Sequence, residues 1–250
     1  MYKKILRPIY HVINALLGTF NWKLERLSTE NNAGSSFSQK GEDVFVEEIL
    51  GLLGITNPNY LDIGANDPIA LSNTYKFYLK GSRGVCVEPN PLLCADFSRQ
   101  RPEDTVLNMG AVPDKDGVLP FYKLSENALS TFIKEEAERV VAANPLHSIA
   151  EVMEIPVMPL KTIMSKYLDN KVDFLSIDVE GGDLDLLTSL DFRSCRPAVI
   201  CIETLDYMKP VWESYADEIE EYMVKNGYKL YADTAVNRIY FDLRRVITPA

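Results

Sequence analysis

Four short runs of this chain are apolar on consecutive residues and stop at or beside an acid: "YLDI" (60–63), "GVCVE" (84–88), "DFLSID" (173–178) and "AVICIE" (198–203). A strand alternating apolar and polar residues would have one wet face. These runs have none, so each reads as a strand covered by helices on both sides. Helix-length stretches at 70–80, 91–100, 160–168 and 212–226 separate or follow them, which makes the rhythm β-α-β-α and the sheet parallel. In open sheets of this kind ligands bind outside the carboxyl ends of the strands. Asp62, Glu88, Asp178 with Glu180, and Glu203 therefore converge on one crevice. Uncompensated buried charge is expensive, so these carboxylates either accept hydrogen bonds from a ligand rich in hydroxyl and amino donors or hold a divalent metal.

The 250 residues suit one α/β domain with decorations, and a composition of 46% hydrophobic and 25% charged residues excludes global disorder. A polar Gly/Ser/Asn-rich stretch, "STENNAGSS" (28–36), separates a basic amphipathic helix and linker (1–36) from a main domain (37–250). Five basic residues (Lys3, Lys4, Arg7, Lys23, Arg26) against Glu25 put residues 1–27 at +4, leaving −14 of the net −10 on the rest. That balance argues against a nucleic-acid partner. Beside Ile5, Ile9, Ile13, Leu16 and Leu17, the basic residues suit either peripheral contact with an anionic membrane or packing on the domain or a partner subunit. Pro8, His11 and Asn14 interrupt the segment as a signal peptide, and no run is long enough to span a bilayer. Cys86, Cys94, Cys195 and Cys201 form no Cys-x-x-Cys pair and read as buried thiols in a reducing compartment. A cytoplasmic protein, attached at most to the inner membrane face, is expected.

The domain is expected to open with a helix after Ser38, carrying Val44, Phe45, Ile49, Leu52 and Leu53 and stopping near Gly54. Further strands are expected at 105–109, 118–122 and 152–158. Two β-rich runs, 228–233 and 236–242, should close one sheet edge as an antiparallel pair. The segment 125–160, with a helix at 133–143, reads either as a lid or acceptor-site insertion or as a solvated helical excursion.

The first βα turn narrows the ligand. A pyrophosphate cofactor wants G-x-G-x-x-G, and "DIGANDP" lacks the second and third glycines; no G-x-x-x-x-G-K-[ST] occurs either. Without that glycine fingerprint, an NAD-dependent sugar oxidoreductase is disfavoured too. What remains is a ligand with adenosine but no phosphate, for which Glu88, 26 positions after Asp62, suits the two ribose hydroxyls. S-adenosylmethionine has that chemistry.

The ordered set "SQKGED" (38–43), "LDIGANDPIALSNT" (61–74), "GVCVEPNP" (84–91), "NMGAVPDKDG" (108–117) and "LSIDVEGGDLDLL" (175–187) resembles the FkbM-type S-adenosylmethionine-dependent methyltransferases, from about Phe37 to Phe241. The resemblance implies a class I methyltransferase (Rossmann-like) fold, seven mostly parallel strands with the last antiparallel, and O-methylation of sugar or natural-product hydroxyls. It places Asp62, Gly64 and Asn66 around the methionine portion and Glu88 on the ribose. Asn108 to Ala111 come near the adenine through backbone groups, Ser38 and Gln39 close over the cofactor, and Ser72, Asn73 and Thr74 open toward it. Ser38 and Ser72 to Thr74 read equally well as helix or turn caps. Family members usually carry Gly where this chain has Pro68, which removes an amide donor but is acceptable at the first position of a following helix.

Methyl transfer to a sugar hydroxyl needs alignment and a proton acceptor. Asp178 is the preferred base, with Glu180 and Glu203 orienting the acceptor. Alternatively the three bind Mg²⁺ or Mn²⁺, or Glu180-Gly181-Gly182 merely shapes a turn; zinc is disfavoured without a Cys/His cluster. His147, in the insertion, reads as a base or, more simply, as a surface loop residue. The acceptor is expected to be a saccharide or glycan-related metabolite. The competing readings are a non-sugar natural product, or a non-catalytic cofactor-binding module of a membrane-associated glycan assembly.

Overall fold

The computed structural model describes residues 35–204 and 216–247. The amphipathic helix expected within 1–36 and the beginning of the helix expected at 212–226 lie outside the described residues. In chain order the strands are β1 (Tyr60–Ile63), β2 (Gly84–Val87), β3 (Thr105–Leu107), β4 (Gly110–Val112), β5 (Gly117–Leu124), β6 (Ile149–Pro159), β7 (Phe174–Ile177), β8 (Val199–Glu203), β9 (Tyr228–Asp233) and β10 (Asn237–Asp242). The helices are α1 (Glu42–Leu52), α2 (Tyr75–Leu79), α3 (Pro91–Gln100), α4 (Lys134–Ala143), α5 (Leu160–Leu168), α6 (Asp183–Thr188), α7 (Ala216–Lys225) and α8 (Arg244–Ile247). None of them is long and apolar enough to cross a membrane.

Seven strands form one sheet in the order β3-β2-β1-β7-β8-β10-β9. Pairing is parallel from β3 through β8, and β10 runs antiparallel to both β8 and β9. The terminal hairpin therefore sits at one edge as expected, but its second strand is the inner one. Every residue of β1, β2, β7 and β8 is buried, which is why these runs read as continuously apolar. Alternate residues serve opposite faces. Leu61, Ile63, Val85, Val87, Leu175 and Ile177 pack with α5, α6 and α7, while Tyr60, Cys86, Phe174 and Cys201 pack with Val46, Ile49 and Leu50 of α1, Phe77 and Phe97. An Ile or Leu sealed there contributes roughly 2 kcal/mol over its exposed state. The four cysteines are free thiols, with Cys86, Cys195 and Cys201 buried, as the sequence suggested.

The strands expected at 118–122 and 152–158 are both present, in a sheet of their own. They belong to β5 and β6, which pair antiparallel with Phe121 opposite Met153, and β6 pairs parallel with β4, an element not expected as a strand, to make a separate three-stranded sheet. Residues 125–160 are thus anchored by a ladder instead of forming a free helical excursion. The helix expected at 70–80 shrinks to Tyr75–Leu79, because side chains before it satisfy the backbone as turns. Asp67 Oδ1 accepts from the amides of Ile69 and Ala70, and Ser72 Oγ from those of Thr74 and Tyr75. Pro68 lies in the first of these turns and not at a helix start.

Asp62 is in register with Cys86 and Ser176, so its carboxylate points into the α1 side of the core. Arg101, with no exposed surface, answers it. Its guanidinium donates to Asp104 Oδ2 (2.8 Å from Nε), Tyr60 Oη (3.1 Å), Thr74 Oγ1 (3.0 Å), Ser72 Oγ (3.3 Å) and the Pro68 carbonyl (3.3 Å). Thr74 Oγ1 in turn donates to Asp62 Oδ2 at 2.6 Å. Removing one partner of a buried charge pair leaves the other uncompensated, so Arg101→Met should lower the unfolding free energy by about 3–5 kcal/mol in denaturant titration. A loss within about 0.5 kcal/mol, typical of surface changes, would show that the network is dispensable.

Candidate active site

The carboxyl ends of β1, β2 and β7 build one wall. After Ile63 the chain turns at Gly64 (φ +78°), where a Cβ would meet the Asp178 carbonyl oxygen at 1.7 Å, so only glycine lets β1 and β7 end side by side. Asn66 follows in the left-handed region (φ +49°), a conformation Asn tolerates. Its amide donates to Glu88 Oε2 at 2.8 Å, while Oε1 of the same carboxylate accepts from the Asn90 amide at 2.7 Å. Glu88 is 4% exposed, and burial pushes its pKa up to about 7 against those two amide bonds, with the Asp62 charge adding to the rise. Each oxygen keeps a second lone pair for a ligand hydroxyl. Burial also raises the Asp62 carboxyl, opposed by the Thr74 hydroxyl and Arg101.

A second acidic group forms where β7 and β8 end. One carboxylate oxygen each from Asp178, Glu180 and Glu203 lies within 4.8 Å of the others. Asp178 is pushed up to about 7 by burial first, then by Asp183 and Asp62. Glu180 and Glu203 are raised as well, by burial and then by Asp178. Asp178 and Glu203 therefore act on each other as neighbouring buried carboxyls, each opposing ionisation of its partner. Glu180 is in the left-handed region (φ +56°), a strained conformation for a side chain of its length. Asp183, at the start of α6, ties the turn by accepting from the amides of Val179 (3.0 Å) and Gly181 (3.2 Å). The reading of Glu180-Gly181-Gly182 as a shaped turn therefore holds for its backbone, while the Glu180 side chain faces the cavity.

Both groups border one cavity of about 620 Å³. Gln39, Asp62, Gly64, Asn66, Glu88 and Ala111 line it, as do Asp178 and Glu180. Ser72 and Asn73 also reach it, but their polar groups are engaged: Ser72 in the turn and with Arg101, Asn73 donating to Ser176 Oγ at 3.1 Å. Asn108 is not among the lining residues; its amide donates to the Glu88 and Pro89 carbonyls at 3.1 and 2.7 Å, and Met109, Gly110 and Ala111 face the cavity instead. Glu203 is likewise absent from the lining and meets the cavity through Asp178. Ser38 is spent on Asp43, donating to its carboxylate (3.0 Å) and accepting from its amide (3.2 Å), and does not reach the cavity. His147 is not a lining residue either.

The insertion supplies the opposite wall, through the 3-10 turn Asn127–Leu129 and the segment up to Ile133. It is pinned by Thr131 Oγ1 donating to the Glu180 carbonyl at 3.0 Å. Sequence reasoning missed Glu42 and Asn237. Glu42 is fully buried on α1 and takes hydrogen bonds from Thr234 Oγ1 (2.8 Å) and Asn237 Nδ2 (3.1 Å). Neither residue follows an apolar run ending in an acid; Glu42 stands in the "SQKGED" motif without a role assigned to it, and nothing in the local pattern marks Asn237.

No curated protein matches the chain. Among solved structures it is similar to Burkholderia thailandensis 1,6-didemethyltoxoflavin-N1-methyltransferase, whose structure holds 1,6-didemethyltoxoflavin and S-adenosylhomocysteine. That likeness, at 10% identity over 81% of this chain and 77% of the other with a TM-score of 0.38, is too slight to argue from. The Methyltransferase FkbM domain matches residues 62–230, more than half of the chain and the span holding Glu88, Asp178 and Glu203. With a glycine-tight turn at β1, an acid after β2 and an acidic group after β7 on that span, the chain belongs to the FkbM family of S-adenosylmethionine-dependent methyltransferases.

Proposed function

We propose that the protein methylates a hydroxyl of a saccharide or a related hydroxylated metabolite, with Asp178 receiving the hydroxyl proton. One observation carries this reading: a single cavity connects the buried Glu88 carboxylate to the Asp178 and Glu180 carboxylates. The cavity residues fit the methyl donor. Glu88 offers paired acceptors for two ribose hydroxyls, Met109 to Ala111 an apolar and backbone surface for adenine, and Asp62, Gly64 and Asn66 a polar wall for the methionine portion. S-adenosylmethionine, when bound, supplies the methyl as an electrophile on a sulfonium. A carboxylate with a pKa near 7 suits proton removal at neutral pH. The hydroxyl oxygen forms the C–O bond as the C–S bond breaks, the C–S electron pair stays on sulfur, and the proton passes to Asp178.

Leu71, Phe121, Leu129, Phe132 and Ile133 give the cavity an apolar side facing its acids. That pairing supports an acceptor with an apolar face beside its hydroxyl, which a sugar ring has and a natural-product alcohol shares. The same three acids have the chemistry to hold Mg²⁺ or Mn²⁺, a second route to an ionised hydroxyl. The +4 of residues 1–27 supports peripheral contact with an anionic surface where glycan precursors are handled.

Calorimetry with S-adenosylhomocysteine tests the donor site: the full chain should bind one equivalent, and absence of binding would refute the reading. Glu88→Ala should weaken that binding by about 10- to 100-fold, the value of a hydrogen bond to a charged group. A carboxylate accepts better than the neutral acid. Affinity should therefore rise as pH increases through about 7, where Glu88 ionises beside Asp62, and Glu88→Gln should flatten the profile. With labelled donor and fractionated cell glycans, Asp178→Asn should cut transfer by about 10²–10⁴-fold while leaving S-adenosylhomocysteine binding within about twofold. Transfer at the unmodified rate would remove Asp178 from the chemistry.

A further inference from the structure

The geometry points to a divalent-cation site in which Asp178, Glu180, Glu203 and Asn237 hold one ion of the Mg²⁺ or Mn²⁺ class beside the methyl acceptor. An acidic group alone would not establish a site, since clustered carboxylates are often only solvated. Asn237 is the independent observation. It stands directly opposite Glu203 in the β8–β10 ladder, so the two side chains leave the same face with Cβ atoms about 5 Å apart. Its Nδ2 donates to Glu42 Oε1 at 3.1 Å, which fixes the amide's orientation and turns Oδ1 away from Glu42. That Oδ1 is buried without a hydrogen-bond partner, in a residue only 2% exposed that lines the same cavity as Asp178 and Glu180. An orphaned buried acceptor costs about 1–3 kcal/mol, and a cation coordinated by four oxygens satisfies it while neutralising the acids.

The dimensions agree. Opposite oxygens around Mg²⁺ lie about 4.2 Å apart and around Ca²⁺ about 4.6–5.2 Å. The three carboxylate oxygens fall within 4.8 Å of one another, close enough for one divalent cation to bridge them after side-chain rotation. Oxygen-only ligands select hard ions over zinc. Each residue gives one oxygen, leaving the second oxygen of Asp178 to receive the acceptor's proton. The ion brings the acceptor hydroxyl's pKa down toward neutrality, so the site deepens the hydroxyl-methylation reading and rests on it.

The test is Mn²⁺ titration of the chelator-treated full-length protein, following the electron paramagnetic resonance signal of free Mn²⁺. One Mn²⁺ per chain, displaced by Mg²⁺, is expected, and Glu203→Gln and Asn237→Leu should each weaken it by about tenfold or more. Thermal unfolding and S-adenosylhomocysteine binding on the same samples report whether each variant is folded. No Mn²⁺ uptake by the unmodified protein at millimolar ion overturns the site, as does uptake that neither substitution weakens. Mn²⁺ uptake without S-adenosylhomocysteine binding would instead refute the methyl-transfer reading and leave the ion site standing.

Discussion

The fold turns on one buried cation. Arg101 lies under the β1 loop, bound to Asp104 and to the hydroxyls of Tyr60, Thr74 and Ser72, and through Thr74 it supports Asp62. An aspartate inside a parallel sheet would cost several kcal/mol or take up a proton if nothing opposed its charge. The guanidinium also holds the Pro68 carbonyl, so residues 66–74 keep a defined path with almost no helix. The loop after β1 and the sheet core are thus one network, whose members are strengthened by their low-dielectric surroundings.

Where β7 and β8 end, acids accumulate, and among the described residues no cation pairs with Asp178, Glu180 or Glu203. Parallel strands β1, β7 and β8 are neighbours, so their carboxyl ends come together and the acids beyond them are forced close. Two layers of fully buried side chains hold those strands rigid. Burial and mutual repulsion then raise the pKa values of these carboxyls. Strain at Glu180 and the close approach at Gly64 belong to the same corner. Such expenditures concentrate where a protein does chemistry.

Much of this was legible beforehand, and the exceptions are physical. The four buried strands and their terminal acids followed from runs with no wet face, and the fingerprints at 61–74 and 175–187 coincide with the β1 loop and the acidic turn that border the cavity. Gly110–Val112 did not read as a strand because three residues carry no periodicity; it forms by pairing with β6 beyond the insertion. Ser38, Ser72 and Asn73 had equal standing as caps or ligands, and their hydrogen bonds go to Asp43, to turn amides and Arg101, and to Ser176. Asn108 sits in a fingerprint, yet its amide faces the Glu88 and Pro89 carbonyls behind the cavity.

Composition and pattern alone determined a mostly parallel sheet covered on both faces with acids at its carboxyl ends, because burial on both faces leaves its mark on consecutive residues of one strand. Only the tertiary structure decided which polar groups share a cavity. Arg101 reaching Asp62 through Thr74, and Glu42 orienting Asn237 beside Glu203, are contacts between residues far apart in the chain. A local pattern records whether a residue is buried. It carries no record of which distant partner satisfies that residue's polar atoms, since that depends on where other strands and loops are brought by packing.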